Sequence, residues 1–489
     1  MKNTHYKSLF KTTGMFGAVE VLRLFLRMVT NIGASHLLGP KGVGLIGFVE
    51  NTVQLLGSLT SFGVQFTGVR DIAALRDRKG EEFQKTLKNI HLFCLVTGIF
   101  AGVISLVGAK YLSILTFDSQ DYILWFVALS IYFVFNGATQ SKIIFLEGTQ
   151  NFLRLLRINL IVSFFNMIVV LLAYYFFHIN GIIISMIINS LSSYLLYYSL
   201  SGIPKVKVQV SKEEIQDSFK KRLQSGSLLS LNVVIGFLCF FVIRKYFYDD
   251  VGLNLGYYQA GNIMLVSYLG IIFIAMNKFF FPRLTRIIED GGDYNLLINN
   301  QLEICLLLII PAILIVYSFG TFLLSILFSP EFVPVFYILI FGLAAIVFKG
   351  FNYAVGYLFL SNKNYKQYFI VNAFSDIINI FLTIFLFQKM GLYGIGLALL
   401  INYFLCAIYT YAYVKKKYFF KLSSDNIKLI SIAAITLTFV ISAYYYLPNK
   451  YFVFVSVLFT IISLIYSGFK LDEYILNQKV YKRLKSFFK

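Results

Sequence analysis

Glu20, Arg23, Arg27 and Asn31 recur at i, i+3, i+7 and i+11 in an otherwise apolar stretch, which places them on one face of a helix. An ionised group at the middle of a bilayer costs about 2.5–3.5 kcal/mol on insertion scales, so such residues usually face a cavity or a partner. Guanidinium forks match phosphate oxygens in a way a lysine point charge does not. Arg23 and Arg27 therefore read as an anion site, with Glu20 holding Arg23 in place or titrating. The bland alternative is a Glu–Arg pair that only orders helix packing. A second stripe carries Glu50, Gln54, Gly57 and Ser61. Glu50 is placed either to pair with Arg23 or Arg27 or to bind a coupling cation.

Two further polar faces lie late in the chain. Ala345, Lys349, Asn352 and Gly356 form one, and Asn372, Asp376, Asn379 and Thr383 the other. Lys349 is too deep to snorkel and reads as a cavity-facing cation; the alternative is a lysine neutralised by burial or paired with Asp376. Asp376 is the deepest carboxylate of the second half, so proton or sodium coupling through it stands beside plain pairing with Lys349. Asn136, Gln140, Asn166 and Asn232 either line a cavity or bridge helices.

Long apolar segments must position these residues. The chain of 489 residues is 58% hydrophobic and 13% charged, with a mean hydropathy of +0.75. A soluble domain carries roughly 25% charged residues, so most of this chain faces lipid or its own apolar neighbours. Runs near the ~20 residues that span a hydrocarbon core fall at 12–37, 43–67, 89–109, 122–143, 157–177, 181–200, 225–247, 255–279, 302–328, 333–360, 367–387, 391–413, 427–447 and 451–469. The expected fold is an all-α polytopic membrane protein of about fourteen transmembrane helices.

The formal charge of +20 does not indicate nucleic acid, because the basic residues sit in short segments between apolar runs and no nucleic-acid motif appears. With the N-terminus inside, outside loops hold only Lys41, Lys110, Arg244, Lys245, Lys389 and Lys450. This bias sets both termini in the cytoplasm. Loops 70–88 and 204–222 and the tail 470–489 read as basic amphipathic segments on the inner leaflet. The retained first helix lacks a cleavage site. Cys94, Cys239, Cys305 and Cys406 lie in separate runs without ligand spacing, and no metal site or cofactor is expected.

A weak internal repeat relates Leu45-Ile46-Gly47-Phe48-Val49-Glu50 to Asn254-Leu255-Gly256-Tyr257-Tyr258-Gln259, six spans later. The organisation expected is an N-terminal six-helix lobe over 1–203, a linker over 204–224, a C-terminal six-helix lobe over 225–414, an additional helix pair over 427–469 and the tail over 470–489. Such repeats commonly place cargo near mid-membrane between the halves.

The letters Leu38-Gly39-Pro40-x-Gly42-x-Gly44-Leu45, Gly256-Tyr257-Tyr258-Gln259-Ala260, Ser267-x-Leu269-Gly270 and Phe281-Pro282-Arg283-Leu284 resemble the O-antigen translocase (Wzx-type) flippases. These form part of the polysaccharide-transport branch of the multidrug/oligosaccharidyl-lipid/polysaccharide (MOP) exporter superfamily. Tyr258 departs from the family, where tryptophan is usual. The resemblance implies two lobes around a central cavity that opens alternately to each side, in a bacterial inner membrane. It implies undecaprenyl-pyrophosphate-linked oligosaccharide as cargo, with membrane lipids and the polysaccharide polymerase and chain-length machinery as partners. No bond is broken, so no catalytic residue is expected. Arg23, Arg27 and Lys349 would offset the anion's desolvation; Glu20, Glu50, Asp376, Asn352 and Asn372 would line the path or couple an ion. Runner-up readings are a MATE-like cation-coupled drug antiporter, which should have a mainly acidic site, and a lipid II flippase. A membrane glycosyltransferase or polymerase would need a soluble domain or a large outside loop, and the span pattern leaves room for neither.

Overall fold

A computed structural model describes residues 2–75, 80–204, 208–248 and 252–475, and its elements are helical, with no strand among the described residues. The expected basic tail lies outside them from residue 476 onward, as do Arg76, Arg78 and Lys79 of the first basic loop and Lys205 and Lys207 of the linker. The chain divides into two compact units, residues 1–256 and 257–489. The division falls after Gly256, and the helix that follows the 204–224 linker packs on the first unit.

The first unit holds α1 (Lys2–Ser61), α2 (Val64–Ala74), α3 (Glu81–Val107), α4 (Ala109–Phe117), α5 (Ile123–Gly148), α6 (Phe152–Phe177), α7 (Gly181–Leu200) and α8 (Lys212–Phe247). α1 is broken at Gly39, whose φ of 63° and ψ of −171° lie outside helical space. Pro40 follows and cannot donate to the preceding turn. α3 and α5 meet backbone to backbone: a side chain at Gly98 would begin 2.8 Å from the Phe133 carbonyl oxygen and 3.1 Å from the Gly137 Cα. In lipid, helices associate mainly through such close van der Waals approach at small residues. α6 and α7 are joined by the single turn His178–Asn180, fixed by Trp125 donating its indole N–H to Asn180 at 3.2 Å.

The second unit contains most of α9 (Leu253–Asn262), a π-helical turn (Ile263–Tyr268), α10 (Ile271–Glu289), α11 (Tyr294–Leu327) and α12 (Val335–Ser361). It continues through α13 (Tyr365–Met390), α14 (Leu392–Tyr418), α15 (Ser424–Tyr446) and α16 (Asn449–Ile475). α11 and α12 are its centre: 67% and 72% of their apolar cores are buried, against 17% for α13 at the periphery. α12 and α14 cross closely, with Gly396 against the Ile338 carbonyl oxygen. The final helix pair is bonded to α11. Ser318 and Thr460 share a buried hydrogen bond of 3.0 Å, and the Asn426 amide donates to the Asn299 backbone carbonyl at 2.9 Å.

Eleven helices among the described residues are long and apolar enough to cross a membrane, so the structure does not fix the number at fourteen. Two of the eleven, Val19–Ser61 and Phe152–Leu200, are 43 and 49 residues long. At ~20 residues per crossing each is long enough for two, and each is interrupted, at Gly39 and at His178–Asn180 respectively. The span expected at 255–279 is divided among α9, the π turn and α10, and does not form one long straight helix.

Candidate functional site

The charged cluster of the first unit is built on the two arms of α1. Glu20 and Arg23 pair across one turn at 3.3 Å, and Arg23 Nε donates to Ser163 of α6 at 3.4 Å. One turn on, Arg27 is exposed and makes no ion pair or hydrogen bond among the described residues. It sits in the field of Glu20 and Glu50. Beyond the Gly39 break, Glu50 is exposed and lies in the field of both Arg244 and Arg27. The Glu20–Arg23 pairing is therefore real, and it leaves Arg27 free of it.

Arg244 corrects the sequence expectation. The charge count places it with the outside loops, although it falls inside the 225–247 span. The helix continues past it, and the side chain is buried, 6% exposed, with its guanidinium 5.4 Å from the Phe240 ring centroid. Three arginines thus surround two carboxylates in this cluster. The available signal was helical spacing: Arg244 follows Phe237 and Phe240, which keeps it on an inward stripe of α8.

Below Glu50 on the same arm of α1, a cavity of about 300 Å³ opens inside the first unit. α1 lines it with Gln54, Ser58 and Ser61, and α5 with Tyr132, Asn136 and Gln140. α3 and α8 close it with Thr97 and Ser230 among others. Glu50 lies near enough to Tyr132 for its charge to act on that phenol, so the charged cluster borders the chamber at one end. Of the four amides singled out in the sequence, Asn136 and Gln140 reach the chamber and Asn166 and Asn232 do not.

At the far end, the linker is strapped to this unit. Ser211 caps α8 and forms a capping box with Glu214 at 3.0 and 3.1 Å. Lys85 of α3 donates to Glu214 at 2.9 Å, and Lys88 to the Val208 carbonyl oxygen at 3.1 Å. The Lys85 ammonium, then the Ser211 backbone N–H, hold the Glu214 carboxyl below its usual range. Arg222 is buried, 5% exposed, with Nη1 3.0 Å from Asp71 of α2.

The second unit holds the remaining predicted residues around Tyr403 of α14. The Lys349 ammonium lies 5.6 Å from the Tyr403 ring centroid, within cation–π range. Among the described residues it has no carboxylate partner, so it does not pair with Asp376. Asn352 donates to the Tyr403 carbonyl oxygen at 3.0 Å, and its own side-chain oxygen is buried without a partner. Asp376 is half-buried on α13, with its charge felt at Tyr403 and Tyr368. Asn372 donates to the Tyr368 carbonyl oxygen at 2.8 Å, a bond within its own helix.

Long apolar helices with cations and amides set among them define a multi-pass membrane protein of the MurJ and MATE fold. The structure is similar to that of lipid II flippase MurJ in an inward closed conformation, with a TM-score of 0.65 and 19% identity over 96% of this chain and 99% of that one. It is similar to an inward-facing multidrug resistance MATE family transporter of the MOP superfamily, with a TM-score of 0.60 and 14% identity over 86% and 99%. It also resembles a MOP superfamily transporter from Pyrococcus furiosus whose binding pocket is described as having reverse polarity, with a TM-score of 0.56 and 14% identity over 83% and 95%. No curated protein matches the sequence. Residues 35–337, more than half of the chain, match the family described as polysaccharide biosynthesis protein, and the chain belongs to that family.

Proposed function

We propose that this protein is a flippase that moves undecaprenyl-pyrophosphate-linked oligosaccharide, an O-antigen or similar surface-polysaccharide repeat unit, from the inner to the outer leaflet of a bacterial plasma membrane. Both termini lie on the cytoplasmic side. The observation that carries the reading is Arg27. It is a guanidinium on the first membrane helix, exposed and without an ion pair or hydrogen bond among the described residues, beside a cluster in which arginines outnumber carboxylates. Such a group persists in an apolar bundle when an anion passes beside it, and a guanidinium suits a phosphate. Lys349 supplies a second cation without a carboxylate, held on an aromatic face. The mechanism is alternating access: the pyrophosphate and glycan enter the protein, the polyprenyl tail stays in lipid, and binding energy offsets desolvation of the anion. Asp376 is the group best placed to couple the step to a proton or sodium ion.

The test is a deletion strain complemented with the wild-type or Arg27→Ala gene. Deletion should accumulate lipid-linked glycan facing the cytoplasm. Arg27→Ala should insert normally and fail to restore surface polysaccharide. Full rescue would remove the anion site from the mechanism. A second reading, transport of lipid II, is favoured by the likeness to MurJ across 96% of the chain. Rescue of MurJ depletion separates the two.

A further inference from the structure

The chamber of the first unit has a chemistry unlike that of the arginines at its border. Among the described residues no carboxylate, ammonium, guanidinium or imidazole lines it. On α5, Tyr132, Asn136 and Gln140 stand at i, i+4 and i+8; on α1, Gln54, Ser58 and Ser61 stand at i, i+4 and i+7. Each set is one helical stripe, and both stripes line the same space.

The serine hydroxyls bond back to their own helix. Of the four lining amides, Gln65 bonds to Glu147, and Gln54, Asn136 and Gln140 bond to no described residue. Elsewhere some amides bridge helices: Asn51 donates to the Phe237 carbonyl oxygen at 3.3 Å and Asn402 to Ser375 at 3.1 Å, while the side-chain oxygens of Asn166 and Asn232 are buried without a partner among the described residues. Each amide offers two donors and an acceptor with two lone pairs. A bare set of three within a membrane bundle is costly unless water or a ligand satisfies it. Gln54 and Asn136 are exposed to the chamber, whose 300 Å³ is room for roughly ten waters at ~30 Å³ each.

We infer that this chamber is a glycan subsite that selects one uncharged sugar ring of the cargo, while the pyrophosphate is met by the arginines outside its lining. The inference rests on the flippase reading. Paired donors and acceptors on facing helices match the vicinal hydroxyls or acetamido group of a neutral pyranose. A uronic acid or phosphorylated sugar finds no cation in the lining, and a drug cation finds no carboxylate. The volume sits at the small end of ligand pockets, ~300–1,000 Å³, which suits one ring and not a whole repeat unit.

The experiment measures binding to the full-length protein in nanodiscs by native mass spectrometry. Three probes are used: undecaprenyl pyrophosphate alone, the same lipid bearing N-acetylglucosamine, and the same lipid bearing glucuronic acid. The neutral sugar should tighten binding about ten-fold over the bare lipid, as one or two added hydrogen bonds would; glucuronic acid should add nothing. Asn136→Leu and Gln140→Leu should each lose the sugar's advantage and bind the bare lipid as the wild type does. Gln54→Leu on the opposite helix gives the same readout if an α5 variant unfolds. A neutral sugar that adds no affinity, or leucine variants that keep its full advantage, would overturn the subsite and leave the flippase reading standing. A wild-type protein that binds none of the three lipids would overturn both.

Discussion

The backbone nitrogen of Gly256 lies 2.8 Å from the point where a side chain at Gly44 would begin, and the Pro40 carbonyl oxygen lies 2.2 Å from the same point on Gly256. The Pro40–Gly44 stretch after the break in α1 and the start of α9 therefore pack on each other, and they pack through missing side chains. Gly256→Val should separate them. The expected effect is about 1–3 kcal/mol of destabilisation, typical of overpacking, read as a lower melting temperature in detergent. Gly57→Ala, which meets nothing within 4 Å, should leave melting unchanged.

Lys349→Met keeps the aliphatic stem and removes the charge that Tyr403 holds. Surface polysaccharide should fall to the level of the deletion strain. The purified variant should be no less stable than the wild type, because the desolvation cost of the ammonium disappears with it. A transport-competent Lys349→Met protein would place the second cation outside the cargo path.

Arg222 and Asp71 tie the start of α8 to α2. Arg222→Met removes the buried partner of Asp71, which is 31% exposed and keeps Arg70 at 3.3 Å, and should cost about 1 kcal/mol. The double variant Arg222→Met with Asp71→Leu should recover most of that loss. Thermal unfolding of the four proteins of this cycle gives the coupling directly.

Glu214 makes the linker strap sensitive to acid. Its carboxyl is held below the usual value near 4.5, chiefly by Lys85. The strap's contribution is therefore complete above that value and is lost as pH falls through the lower, folded-state value. Limited proteolysis at residues 208–211 should be slow at neutral pH and accelerate only well below pH 4.5. Glu214→Gln should be cut rapidly at neutral pH.

The membrane class, the helical fold and the break at Gly39-Pro40 were all legible in the sequence, because hydropathy and backbone stereochemistry are local. The Glu20–Arg23 pair was legible for the same reason, being one turn apart. What escaped were relations between helices. The charge count places Arg244 with the outside loops, and only packing on α1 reveals it as buried. Lys349 and Asp376 invited pairing by sign, yet the ammonium rests on Tyr403, a tyrosine that periodicity does not distinguish from its many neighbours. The chamber's amides were visible as polar letters in α5, but their lack of partners is a property of four helices together. The exact helix count is not fixed where helices run on through a bend or are divided by a π turn, since composition marks hydrophobic length and not continuity.

Asn299 of α11 completes its bonds with Lys421, Ser423 and Asn426, the last 127 residues further along the chain. At ~5–20 residues per second, roughly 6–25 s of synthesis separates them. During that interval the Asn299 amide keeps only its bond to the Asn295 carbonyl oxygen of its own helix, and the flank of α11 where α16 will lie stays bare. A nascent chain caught in that interval exposes to lipid a flank of α11 that α15 and α16 cover once they are made.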